Sequence, residues 1–169
     1  MSAPGTSLPA AFGQRAAALL AGTDADLERL YPGDDGSRQP VHTCYAPADL
    51  VTPDTPREWG EAALAAAEEA GGPEVLAELA GIEEHLRAEV VARTVRKLRE
   101  EPVEDLRLDL EDGYGQRPDA EEDAAAVGAA RTVAAMARSR HRGQSPQPAF
   151  AGIRFKCLEA ATRERGLRT

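Results

Sequence analysis

Aromatic residues are scarce in this 169-residue chain, at 4%: one Trp, three Tyr and three Phe. Much of the apolar content is Ala, so the helices are expected to be many and lightly packed. Cysteine is nearly absent too. Cys44 and Cys157 fall on separate expected elements, and neither has the spacing of a disulfide framework, a zinc site or a redox pair. Two free thiols in a reducing cytoplasm are the expectation. No apolar run approaches the ~20 residues that a membrane span needs. Met1 to Pro9 is small and polar, with no basic region leading into an apolar stretch, and does not read as a secretion signal. Motifs for Ser/His/Asp hydrolysis are missing. Gly113-Tyr-Gly115 lacks the rest of any phosphate-cradling fingerprint. His42, His85 and His141 have no metal-ligand spacing; His42, on an expected strand, reads as structural rather than as an acid/base group.

The formal charge of −9 is unevenly spread. From Arg131 onward nine Arg/Lys face two Glu, a local +7, and residues 1–130 carry the balancing −16. A basic segment can contact nucleic acid, but only Phe150 and Phe155 interleave with these charges, and both suit an apolar strand face. No nucleic-acid partner is expected. An anionic small molecule, a CoA ester or an organic acid, is the better use for an Arg/Lys face.

The richest segment is Asp105-Leu-Arg-Leu-Asp-Leu-Glu-Asp112. Its alternation puts Leu106, Leu108 and Leu110 on one side of a strand and Asp105, Arg107, Asp109 and Glu111 on the other. Asp112 stands at the strand's C-terminal end, where Gly113 and Gly115 permit a sharp turn. Asp109, Glu111 and Asp112 place three carboxylates within four residues, and these repel one another unless a cation or a hydrogen-bonding substrate relieves them. Beyond the glycines, Asp119 reads as an N-cap with Glu122 three residues on, a capping box. An Ala-rich helix to about Ser139 follows, with Val127, Ala130, Val133, Ala134 and Ala137 at helical spacing. After a polar linker, Gly143 to Pro148, Phe150-Ala-Gly-Ile-Arg-Phe-Lys156 reads as a second strand, Ile153 and Phe155 on one face and Arg154 and Lys156 on the other. Strand, helix and strand make a βαβ unit, whose strands run parallel. In a closed barrel the leucines, Ile153 and Phe155 would face the outer helices. The acids, Arg154 and Lys156 would face inward near the C-terminal mouth, where such barrels place their chemistry.

These residues resemble a family. Leu-Asp-Leu-Glu-Asp with its glycine turn, the acidic Ala-rich helix ending in Ala-Ala-Arg131, and the Ile-Arg-Phe-Lys strand are similar to the citrate lyase β-subunit / HpcH–HpaI aldolase superfamily. They are most similar to an uncharacterised, aldolase-labelled bacterial branch with Glu-Asp-Gly-Tyr-Gly and Phe-Ala-Gly-Ile-Arg-Phe-Lys. His42-Thr-Cys-Tyr-Ala-Pro-Ala48 extends the resemblance, which covers residues 40–169. It implies a (β/α)₈ barrel of the phosphoenolpyruvate/pyruvate-binding type. It also implies Mg²⁺- or Mn²⁺-assisted making or breaking of a carbon–carbon bond beside a 2-oxo acid or acyl-CoA thioester. Glu111 and Asp112 match the family's Glu-Asp pair, which binds metal-ligated water or positions a proton donor, with Asp109 beside them. Arg154 matches the strand arginine that grips the 2-oxo acid and stabilises enolate charge, a role suited to a guanidinium fork. Lys156, the second expected substrate-binding residue, stands where related enzymes often have Asn.

A (β/α)₈ barrel needs roughly 250 residues, and only three barrel strands are expected here, at about 40–46, 105–110 and 149–156. The expectation is therefore the N-terminal part of a barrel, with the direct metal ligands beyond Thr169 and the isolated chain inactive. The alternative is a non-catalytic remnant, or a subunit that needs a homo-oligomeric or other completing chain to close its barrel. Residues 1–38 are expected to form a helical extension, with short helices at Phe12–Leu20 and Asp24–Tyr31 and a turn-rich loop after them. Residues 39–169 form the partial barrel, with a helical insertion over about 55–100. There Thr55-Pro-Arg-Glu58 reads as a capping box opening a helix to Ala70, Gly71-Gly-Pro73 breaks it, and Glu74–Leu79 forms a short helix. A longer helix over 82–99 carries an Ile82, Leu86, Val90, Val91, Val95, Leu98 stripe, which reads as core because it is too short for sustained heptads.

Overall fold

The computed structural model describes residues 9–144 and 146–169. The chain divides into two compact units between Gln39 and Pro40.

Among the described residues the first unit holds one helix, α1 (Ala10–Leu30), where the sequence suggests two. Gly22 costs about 1 kcal/mol relative to Ala in a helix interior, and that alone does not break a run of good helix formers. After Tyr31 the backbone turns on aspartates: the Gly36 amide donates to Asp34 Oδ1 and the Ser37 amide to Asp35 Oδ1. Side chains of this type close turns on their own backbone.

The second unit is a parallel α/β fold. Its elements are β1 (Thr43–Pro47), α2 (Thr55–Glu69), α3 (Pro73–Leu79), α4 (Glu84–Glu100), β2 (Asp105–Asp109), α5 (Asp119–His141), β3 (Phe150–Arg154) and α6 (Arg163–Arg168). The strands pair in the order β1-β2-β3, all parallel. Three registers run across the sheet: Thr43, Asp105 and Phe150 share a row, then Tyr45, Arg107 and Gly152, then Pro47, Asp109 and Arg154. Among the described residues, no strand pairs with the outer edge of β1 or of β3.

The leucine face of β2 is the centre of the core. Leu106, Leu108 and Leu110 are fully buried, in one cluster with Ala46, Ala48, Val51, Val103, Tyr114, Ala129 and Met136. Each buried leucine contributes roughly 1.5–3 kcal/mol of transfer free energy. The opposite, charged face departs from a simple alternation of buried and solvated positions. Asp105 and Asp109 are also buried, because β2 is the central strand and both acids have partners across the sheet. Ile153 and Phe155, expected under helices, remain about 36% and 43% exposed. β3 is the edge strand here, so these side chains have neighbours on one side alone.

Both expected capping boxes are absent. Thr55 is the first residue of α2, and its buried hydroxyl accepts the Thr52 amide instead of an amide of the helix's first turn. Asp119 is likewise inside α5, whose N-cap is Pro118. Glu122 turns inward to Lys156. Glu122 thus takes a tertiary partner in place of the local capping hydrogen bond, whereas Thr55 serves an amide three residues before it. The inserted helices α2, α3 and α4 border an open apolar cleft of about 310 Å³ lined by Leu64, Leu76, Val91, Val95 and Leu98. Four residues of the stripe in α4, Val90, Val91, Val95 and Leu98, thus line this cleft. Among the described residues, no helix is long and apolar enough to cross a membrane.

Candidate functional site

Parallel strands end together, so their C-terminal ends bring separate parts of the sequence to one rim. In this chain the last shared register places Asp109 beside Arg154. The pair is bidentate: Arg154 Nε donates to Asp109 Oδ1 at 2.8 Å and Nη2 to Oδ2 at 2.5 Å. Two amides of the following turn complete the carboxylate's shell, Glu111 N–H to Oδ1 at 2.8 Å and Gly113 N–H to Oδ2 at 2.7 Å. Both oxygens of Asp109 are therefore engaged by a side chain and by backbone.

The cause is legible in the backbone. A Cβ at Gly113 would lie 2.6 Å from Asp109 Oδ2, so a side chain there would push the turn off its acceptor. The Arg154 hydrogen bonds, joined by the Glu111 and Gly113 amides, hold the Asp109 carboxyl below its ordinary range, against burial pushing the other way. The same pairing raises the Arg154 guanidinium above its ordinary value.

The next two residues of the turn face the same guanidinium more loosely. Glu111 Oε2 lies 3.6 Å from Arg154 Nε, and its Oε1 accepts the Cys157 amide at 2.9 Å. Asp112 Oδ2 lies 3.4 Å from Arg154 Nη1, and its side chain is 82% exposed. The Tyr45 ring of β1 underlies the guanidinium, 4.7 Å from ring centre to Cζ, a cation–π contact that fixes its plane. Arg154 itself stays 31% exposed. The rim is thus one guanidinium against three carboxylates. One carboxylate is locked, one is shared with an amide and one is in solvent.

Two rows down, Asp105 accepts from Thr43 Oγ1 at 2.9 Å and pairs with Arg107 of the row between. The Arg107 guanidinium lies over β3 where Gly152 leaves room; a Cβ there would meet Nη1 at 2.6 Å. Tyr45, Arg107, Arg154 and Phe155 border a shallow concavity on this face.

Of the residues singled out from the sequence, Asp109, Glu111, Asp112 and Arg154 come together at the rim. Lys156 does not join them. It lies past the end of β3, buried, and its ammonium donates to Leu110 O, Gly115 O and Glu122 Oε2 at 2.9, 3.2 and 2.8 Å. Sequence reasoning missed Tyr45 and Gly152 as parts of this geometry, and read Gly113 as a turn residue without its contact to Asp109. The glycines had a signal: each lacks a side chain directly opposite or following a charged one.

No three His, Cys, Asp or Glu side chains among the described residues come together as a metal site. The reason is local. Asp109 has no free oxygen, Glu111 gives one oxygen to an amide, and Asp112 projects alone. A divalent cation does not fit these residues as its ligand set.

A parallel α/β sheet with a locked acid–arginine pair at the C-terminal rim of its strands defines the class. The chain belongs to the family described as Domain of unknown function (DUF6986), whose model matches residues 20–169. No curated protein and no solved structure matches it.

Proposed function

We propose that this chain carries the substrate-gripping rim of a (β/α)₈-type carbon–carbon lyase acting on a 2-oxo acid or acyl-CoA thioester. The observation that supports the reading is Arg154 at the C-terminal ends of parallel strands. Two of its nitrogens are committed to Asp109, and a third, Nη1, is held by the solvent-exposed Asp112 alone. A substrate carboxylate or enolate oxygen reaches Nη1 by displacing Asp112, while the Asp109 pair and Tyr45 keep the guanidinium plane fixed. Preorganised charge of this kind lowers barriers because it need not reorient as enolate charge develops. Asp112, once displaced, and Glu111 are the carboxylates within reach of a proton on the substrate. Mg²⁺ or Mn²⁺ in such an enzyme would supply Lewis-acid stabilisation of the enolate. Its ligands would have to come from other residues than those described.

The test is release of a 2-oxo acid or free thiol from a panel of aldol and acyl-CoA substrates with Mg²⁺ present. In a complete enzyme, Glu111→Gln, Asp112→Asn and Arg154→Ala should each lose turnover while remaining folded. Wild-type turnover in all three would end the proposal. A second reading, in which another chain completes the sheet, is favoured by the open outer edges of β1 and β3. An exposed parallel edge is a template for further pairing. Under that reading the chain alone binds no divalent metal, and millimolar Mg²⁺ raising its melting temperature would argue against it.

A further inference from the structure

We propose that Lys156 is the positioning residue of the acidic turn, a clip that closes both ends of the Glu111–Tyr114 segment and so aims Glu111 and Asp112 at Arg154. The role at the rim rests on the lyase reading above; the clip itself does not.

An ammonium has three donors and no acceptor. Lys156 gives one to Leu110 O, immediately before the segment, one to Gly115 O, immediately after it, and one to Glu122 Oε2. A single cation thus ties the two boundary carbonyls of the turn together. The turn's own closure, Gly115 N–H to Glu111 O at 2.7 Å, lies within the same loop. Glu122 is fully buried in the first turn of α5, and its other oxygen lies 3.2 Å from Arg165 Nε. The clip is therefore anchored to α5 and α6 rather than to solvent.

Its placement in sequence matters as much as its partners. Segment 154–157 meets the turn three times: Arg154 through Asp109, Lys156 through the two carbonyls, and the Cys157 amide through Glu111 Oε1. The strand end that carries the guanidinium thus also sets where the opposing carboxylates stand. Burying a charged pair costs several kcal/mol in desolvation, and a well-packed apolar pair is often as stable. An ion pair kept here is better explained by the conformation it specifies than by stability. Lys156 acts through Glu111 and Asp112 and does not touch substrate.

The experiment is amide hydrogen exchange on the full chain, with oxalate affinity as a second readout. Lys156→Met removes the clip, whereas Glu122→Gln removes the ion pair but leaves the ammonium on both carbonyls. The clip predicts that Glu111 and Gly113 amides exchange at least ~10-fold faster in K156M, with Leu106 and Leu108 amides unchanged, since local opening is separable from global unfolding. E122Q should leave the turn amides near wild type. If K156M fails to fold, the apolar pair K156M/E122L replaces it, with the same expectation. Turn and core amides accelerating together, turn amides unchanged, or E122Q loosening the turn as much as K156M would each overturn the clip. Failure of wild-type protein to bind oxalate strikes the lyase reading and leaves the exchange result to judge the clip.

Discussion

Asp109 and Arg154 are register partners on adjacent parallel strands, 45 residues apart in sequence, joined by two hydrogen bonds of 2.8 and 2.5 Å. The pair welds β2 to β3 at the rim, and the turn that follows β2 is hung from the same carboxylate.

Removing Asp109 leaves Arg154 only the looser Glu111 and Asp112 and takes the acceptor from the Glu111 and Gly113 amides. Asp109 is buried, so Asp109→Ala should destabilise the fold by about 3–5 kcal/mol, the usual cost of breaking a buried pair from one side. Urea unfolding checks this. Asp112→Ala, at an exposed carboxylate, should change stability by less than about 1 kcal/mol.

The Asp109 pair also sets an acid limb. Its folded-state carboxyl titrates below its unfolded value. The stability it contributes is therefore present above the unfolded pKa of about 3.9 and is lost as pH falls through the lower folded value. Wild type should lose stability steeply below about pH 4, and Asp109→Asn should lose it less steeply over that window. Equal slopes in the two proteins would contradict this.

Glycines separate by the space around them. In α2, a Cβ at Gly60 would lie 2.2 Å from the Leu98 carbonyl oxygen of α4. Gly60→Ala must push two helix backbones apart and should cost at least ~1–3 kcal/mol. In α5, Gly128 has nothing within 4 Å, and Gly128→Ala should stabilise by roughly 0.5–1 kcal/mol through helix propensity. Thermal melts of the two variants should move in opposite directions.

The thiols should differ in reactivity. Cys157 is exposed, whereas Cys44 is partly buried, with burial first and the Asp105 charge second pushing its thiol up. Since the thiolate is the nucleophile, an aromatic disulfide reagent near pH 8 should label Cys157 fast and Cys44 slowly. Cys157→Ser should abolish the fast phase.

How far the sequence carries this fold depends on which interactions are local. Strict alternation in Asp105–Asp112 located β2 and its leucine face, and Gly71-Gly-Pro73 marked the break between α2 and α3. Asp109, Glu111, Asp112 and Arg154 were visible as a site because a βαβ unit brings its strand ends together. The failures came where long-range partners outbid local ones. Glu122 has the spacing of a capping box yet pairs with Lys156, 34 residues on. Lys156 has the alternation of a rim residue, but the strand ends at Arg154 and the side chain turns under the turn. Tyr45 carried no signal in its own segment, because its role depends on the register of β1 with β2.

The most direct test of the central claim is calorimetric titration of oxalate, a planar mimic of a 2-oxo acid enolate, into wild-type protein and into Arg154→Ala. Saturable binding by wild type, weakened at least ~10-fold in the variant, is the predicted result, as expected for loss of a charge-assisted carboxylate contact. Equal affinity in two folded proteins would place the anion elsewhere and contradict the assignment of Arg154.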